Sequence, residues 1–136
     1  MTKSYQEKIN FLNRARHAED LIYALECVQK QDQKLLEELG NSEDCEGIRN
    51  HLENLCQQRK QVLESLVQIR EEIAERISEI PDMQLRSILE RKYLVHQSLD
   101  QIAREMFFSR RTIQRKQKKA LDLLKISDLE SDKYQK

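Results

Sequence analysis

The chain has no tryptophan, one proline and two glycines in 136 residues, and seven aromatic side chains in all, three Phe and four Tyr. So few glycines and prolines leave little of the turn chemistry that a many-stranded β fold needs every ten residues or so. No run of about 20 apolar residues is present to span a bilayer, and the amino terminus lacks the short apolar core of a secretory signal. A cytoplasmic protein with no membrane partner is expected. The three cysteines, Cys27, Cys45 and Cys56, form an odd set without a Cys-x-x-Cys pair, the usage of reduced thiols rather than of a disulfide framework. Cys45, His51 and Cys56 lack the fourth partner and the close cysteine spacing of a zinc site. Glycine-rich phosphate loops, a Ser-His-Asp order and metalloprotease motifs are also missing. The expectation is therefore no cofactor, no metal and no enzymatic activity.

What remains is a composition made for helices. Hydrophobic residues are 38% and charged ones 35% of the chain, and Leu, Glu, Lys, Gln and Arg, all good helix formers, are abundant. The net charge is zero, but it is unevenly laid out. Residues 1–81 hold 11 Lys+Arg against 16 Asp+Glu, whereas residues 82–125 hold 11 against 5. An acidic half joined to a basic half points to nucleic acid at the basic end.

Helix signals divide the chain in three. Ser4 and Glu7 form a capping box that opens a first helix at Tyr5, and Gly40 supplies the left-handed residue that closes it. Its apolar residues Tyr5, Ile9, Leu12, Ile22, Leu25, Val28, Leu35 and Leu39 fall mostly on one face. Asn41 or Ser42 caps a second helix, with Glu43, Asp44 and Glu46 at the positive end of its dipole. Along it Ile48, Leu52, Leu55, Arg59, Val62, Leu66, Ile69, Ile73, Ile77 and Ile80 step by three and four, a heptad seam broken by one charge. Leu52, Leu55, Val62, Leu66, Ile69 and Ile73 are the expected dimer or partner seam. Pro81 stops this helix. The expected fold class is all-α: a long antiparallel helical hairpin, or coiled coil, over residues 1–81, which dimerises or binds a partner, then a three-helix helix-turn-helix domain over 82–125. Residues 126–136 are expected to form a flexible tail.

Within 82–125, Asp82 or Pro81 opens a helix with Leu85, Ile88, Leu89 and Tyr93 inward, and Leu94 to Gln97 connect it to the next. Ser98 with Gln101 makes a second capping box, opening a helix of about two turns through Ile102, Ala103 and Met106. Ser109 caps a last helix from Arg110 to about Lys125. A short helix, a tight turn and a longer helix rich in Arg, Gln and Lys is the arrangement that places a recognition helix in the major groove of double-stranded DNA. With Ile113, Ala120, Leu121 and Leu124 inward, the basic residues face out. Arg111, Gln114 and Arg115 are the expected base readers, because Arg pairs bidentately with guanine and Gln with adenine. Ser109, Arg110, Lys118, Lys119 and Arg104 are the expected phosphate contacts, with Arg91 and Lys92 as further candidates.

Ile88 to Tyr93, Ser98-Leu99-Asp100-Gln101-Ile102-Ala103, Ser109-Arg110-Arg111-Thr112-Ile113 and Lys119-Ala120-Leu121 together resemble region 4 of bacterial sigma factors over about 40 residues. A module of this kind at the carboxy terminus, behind a charged helical segment, is similar to the RinA and ArpU late-transcription activators and to small proteins of Gram-positive phages. The resemblance implies a DNA-binding transcription regulator of phage or mobile-element origin in a bacterial host. It also implies a contact with RNA polymerase or another transcription regulator, and the rival reading is a modulator that binds such a protein instead of DNA. Two positions depart from the pattern: Phe107 stands where the turn usually carries glycine, and Gln117 stands where an apolar residue is common.

Overall fold

The computed structural model describes residues 4–126, and every secondary-structure element among them is a helix or helical turn. Helix α1 spans Tyr5–Leu39 and α2 spans Glu46–Ser78. Three shorter helices follow: α3 at Met83–Leu89, α4 at Leu99–Met106 and α5 at Arg110–Leu123. No helix among the described residues is long and apolar enough to cross a membrane.

The sequence signals at the helix ends act as their chemistry dictates. Ser4 Oγ accepts the Glu7 amide at 3.2 Å, which satisfies one of the donors left open at the start of α1. Gly40 closes α1 with φ +57° and donates its amide to Leu36 O. The start of α2 differs from expectation. Neither Asn41 nor Ser42 caps it directly; a short 3-10 turn, Glu43–Cys45, intervenes, and the Ser42 carbonyl instead accepts a hydrogen bond from Arg49. Pro81 lies beyond the end of α2, as expected from a residue that cannot continue the helix.

The packing divides the chain into two compact units, one made of Met1–His17 with Ile69–Lys136 and the other of Ala18–Gln68. This is not the division expected at Pro81. The reason is a core that runs across that residue: Phe11, Leu12 and Ala15 of α1 and Ile73, Ile77 and Ile80 meet Leu85, Leu89, Tyr93, Ala120, Leu121 and Leu124 in one buried cluster. Each such Leu or Ile, fully removed from water, contributes about 1.5–3 kcal/mol. Ile126 packs on the same cluster, so the segment expected to be loose from 126 onward begins with a packed residue. The rest of that segment, 127–136, lies outside the described residues.

The unit Ala18–Gln68 is an antiparallel helix pair. Ala18, Ile22, Leu25, Gln29, Asp32, Leu36 and Leu39 are its shielded positions on α1, and Arg49, Leu52, Cys56, Arg59, Leu63 and Leu66 on α2, in alternating steps of three and four. Two sequence expectations shift by one position here. On α2 the shielded row passes through Arg49, Cys56 and Leu63, so Ile48 and Val62 sit beside the seam and remain 57% and 50% exposed. On α1 Val28 and Leu35 are likewise exposed, and the seam takes Gln29 and Asp32 instead. Those polar residues are satisfied. Gln29 Nε2 donates to Cys56 O at 2.8 Å, and the Arg59 guanidinium donates to both Gln29 Oε1 and the Asp32 carboxylate. A polar group that finds its partner in only one register fixes how the two helices slide against each other.

One contact was invisible in the composition. Lys8 is 7% exposed, and its ammonium donates to Leu121 O at 2.9 Å and Asp122 O at 3.4 Å, the carbonyl end of α5. A cation suits that end of a helix, where the dipole is negative and the last carbonyls keep acceptor capacity to spare, although Leu121 O also accepts the Leu124 amide at 3.2 Å. Lys8→Ala should destabilise the protein by about 1–3 kcal/mol, the range for stripping a partner from buried polar groups, as read by urea denaturation.

Candidate nucleic-acid interface

The site is built around α5, and its placement follows from three capped helices. Asp82 accepts the amides of Gln84 and Leu85 at 2.9 and 3.0 Å to start α3. After Leu89 the helix widens into a π turn, Glu90–Leu94, where Val95 N reaches back to Glu90 O. Ser98 Oγ accepts Gln101 N at 3.1 Å to start α4, and Ser109 Oγ accepts Thr112 N at 3.2 Å to start α5. Ile88, Ile102, Ala103 and Ile113 form a second small core among α3, α4 and α5, lined by Leu99, Met106 and Phe108. Ala103 is the small residue that the close crossing requires. The carboxy-terminal half of α5 is held separately, through Ala120 and Leu121 in the larger core.

The inward face of α5 is therefore fixed at both ends, and the other face is presented to solvent. Arg111, Gln114, Arg115, Lys118 and Lys119 are all exposed, and none of their five side chains makes a hydrogen bond or ion pair among the described residues. They recur at intervals of three and four, one stripe along the helix. Their neighbours off the stripe are engaged. Lys116 Nζ donates to Gln84 Oε1 at 2.8 Å and stands 5.1 Å from the Phe108 ring centre. Gln117 Nε2 donates to the Tyr93 hydroxyl at 3.2 Å, which explains how a polar residue stands at that position. Burial raises the Tyr93 pKa from its ordinary value, only partly offset by the Gln117 bond, so the phenol stays protonated.

The expected phosphate contacts do not form one class. Arg104 is exposed on α4. Arg110 lies 3.4 Å from both Asp100 carboxylate oxygens, an ion pair open to water and worth little. The Ser109 hydroxyl also meets Thr112 Oγ1 at 2.9 Å, so its side chain is occupied with capping and its backbone is the group left for an anion. Arg91 pairs with Glu105 at 2.8 Å and also reaches Ser87 and Gln97. That network ties α4 to the helix before it. The seam residues distribute differently again: Ile73 is buried in the larger core with Ile69 against it, Leu52 and Leu66 lie in the helix-pair seam, Leu55 is half-buried, and Val62 is exposed.

Electrostatics gives the stripe a direction. The first turn of α5 holds no acidic residue but does hold Arg110 and Arg111, at the positive end of the dipole. Like charge there costs a few tenths of a kcal/mol per residue in the free protein. An anion at the same place reverses the sign, because backbone donors, dipole and guanidinium groups then act together.

The turn between α4 and α5 carries the residue that sequence reasoning marked only as a departure. Phe107 adopts φ +61°, ψ +41°. Phe108 N donates to Ala103 O at 2.9 Å and Phe107 N to Arg104 O at 3.4 Å, the paired bonds of a Schellman turn. The geometry demands a left-handed residue and receives a phenylalanine whose side chain is 92% exposed. Among the described residues no three His, Cys, Asp or Glu side chains converge as metal ligands. No known protein family, curated protein or solved structure matches the chain.

A left-handed conformation costs a bulky L-residue about 1–2 kcal/mol, and glycine gives back part of that gain as unfolded-state entropy. Phe107→Gly should therefore raise stability by up to about 1 kcal/mol, seen as a higher urea midpoint with an unchanged slope. A lower midpoint would show that the ring stabilises the fold.

Proposed function

We propose that the protein is a DNA-binding transcription regulator of phage or mobile-element origin that lays α5 in the major groove. The observation that carries this reading is the free stripe Arg111, Gln114, Arg115, Lys118 and Lys119, on a helix whose other face is buried. Long cationic side chains kept out of intramolecular pairs are what phosphate and base edges require. Arg111, Gln114 and Arg115 read bases in this scheme, and Lys118, Lys119, Arg104, Arg110 and the Ser109 backbone neutralise or bond phosphate.

A second reading has its own support. Phe107 offers an almost fully exposed ring at the turn, and Met83 is 74% exposed on α3. Exposed apolar side chains of this size suit a protein surface, and in this reading the head formed by α3, α4 and α5 captures RNA polymerase or another transcription regulator. The two readings separate by salt, because counterion release makes phosphate binding fall steeply with ionic strength while an apolar interface does not.

Selection of bound fragments from genomic DNA at physiological salt should enrich a defined site, and the Arg111, Gln114 and Arg115 triple-alanine variant should lose it. Equal enrichment by both, or none by the wild type, would move the function to the protein-binding reading. On the selected site, Arg115→Ala should relax discrimination at one base pair by about 1–3 kcal/mol. Lys119→Ala should instead weaken all sequences alike and lower the salt slope by about one.

A further inference from the structure

The helix pair Ala18–Gln68 has two unlike sides. In an antiparallel pair, the residues that precede the first of each shielded couple on the two helices fall on the same side of the seam. Here those residues are Leu21, Val28 and Leu35 on α1 and Ile48, Leu55 and Val62 on α2, two rows of apolar residues each repeating every seven positions. Leu21, Val28 and Leu35 are 40–42% exposed, Val62 50% and Ile48 57%, and Leu55 is half-buried. The outer neighbours of these rows, Ala24, Gln31, His51, Gln58 and Ser65, carry no formal charge at neutral pH, and Glu38 alone is charged. On the opposite side the corresponding places hold Glu19, Glu26, Lys30, Glu53, Lys60 and Glu64, with Tyr23 and Val67 as the exposed large apolar residues. In a chain of which 35% is charged, a face with one charge in twelve positions is a marked depletion. Loss of charge with retention of aliphatic residues is the mark of a surface that is covered in the working state.

We infer that this face binds the same face of a second copy of the chain, forming a four-helix dimer. The face is its own complement. An uncharged patch meets no opposed charge in another uncharged patch, and a charged partner would have to desolvate its charges against it. The shared seven-residue period lets either row of one copy stay in phase with either row of the other, as a two-fold interface requires. Size also favours a whole second helix pair over a single helix. Two helices of about 10 Å width, over about 25 Å of length, offer roughly 500 Å² a side, near the 600 Å² at the lower limit for a specific interface, so half that width would fall well short. The expected dimer is thus reversible.

The inference goes beyond the DNA-binding reading and does not depend on it. Sedimentation of the full chain alone, over roughly a hundredfold concentration range, tests it without nucleic acid. The wild type should pass from monomer to dimer. Val28→Lys with Val62→Lys, both at exposed positions, should weaken association by about a hundredfold or more, because each dimer would bury four ammonium groups without partners. Glu53→Lys on the opposite side should associate as the wild type does. If circular dichroism shows lost helix in the lysine variant, Val28→Gln with Val62→Gln decides, with about tenfold weaker association expected. A wild type that stays monomeric throughout would overturn the inference, and so would face variants that associate as tightly as the wild type.

Discussion

The structure depends on one hydrophobic cluster in which the last turns of α2 and the first turns of α1 serve as a platform for α3 and α5. Ile73, Ile77 and Ile80 are 0–1% exposed, and so are Phe11, Leu12, Ala120, Leu121 and Leu124. Among themselves α3, α4 and α5 enclose the small core of Ile88, Ile102, Ala103 and Ile113. Leu85, Leu89, Ala120 and Leu121, also from α3 and α5, are buried within the larger cluster shared with α1 and α2. The small core does not stabilise about 40 residues alone. The platform supplies the missing apolar area, and Lys8 adds a polar tie at the end of the helix that carries the free stripe.

The same constraint explains the orientation of α5. Its two anchor points, Ile113 in the smaller core and Ala120 with Leu121 in the larger, lie two turns apart on one face. With both held, rotation about the helix axis is excluded, and the side chains at 111, 114, 115, 118 and 119 are presented as a set. For the proposed reading of DNA such packing matters, since a flexible side chain can read a base only when its backbone stays where it is.

Much of this was legible in the sequence because it is local. Capping at Ser4, Asp82, Ser98 and Ser109, termination at Gly40, and the inward set of α5 all follow from a few residues whose backbone chemistry permits one arrangement. What was not legible is relational. Nothing in the spacing of Lys8 says that its face meets the carbonyl end of a helix 113 residues later, although its place one step before Phe11 and Leu12 puts it on the buried side. The seam slipped by one position for a similar reason. Counting apolar residues favours Val28, Leu35, Ile48 and Val62, whereas the shielded positions include Gln29, Asp32, Arg49 and Arg59, whose partners lie on the opposite helix or, for Arg49, at the tip of the hairpin. The division at Pro81 marks where a helix stops, and a helix end is not a boundary of packing.

The order of the two units along the chain has an evolutionary consequence. Ala18–Gln68 is a continuous stretch set between two parts of the other unit. Its layers repeat with a period of seven, so a length of seven residues can be lost from or added to each arm together while seam and apolar side stay in phase. Other changes in length would turn one row out of the seam. Such a segment is a ruler graduated in heptads, and its length can drift by whole divisions while Lys8, the isoleucine platform and the helix they hold keep the same sequence.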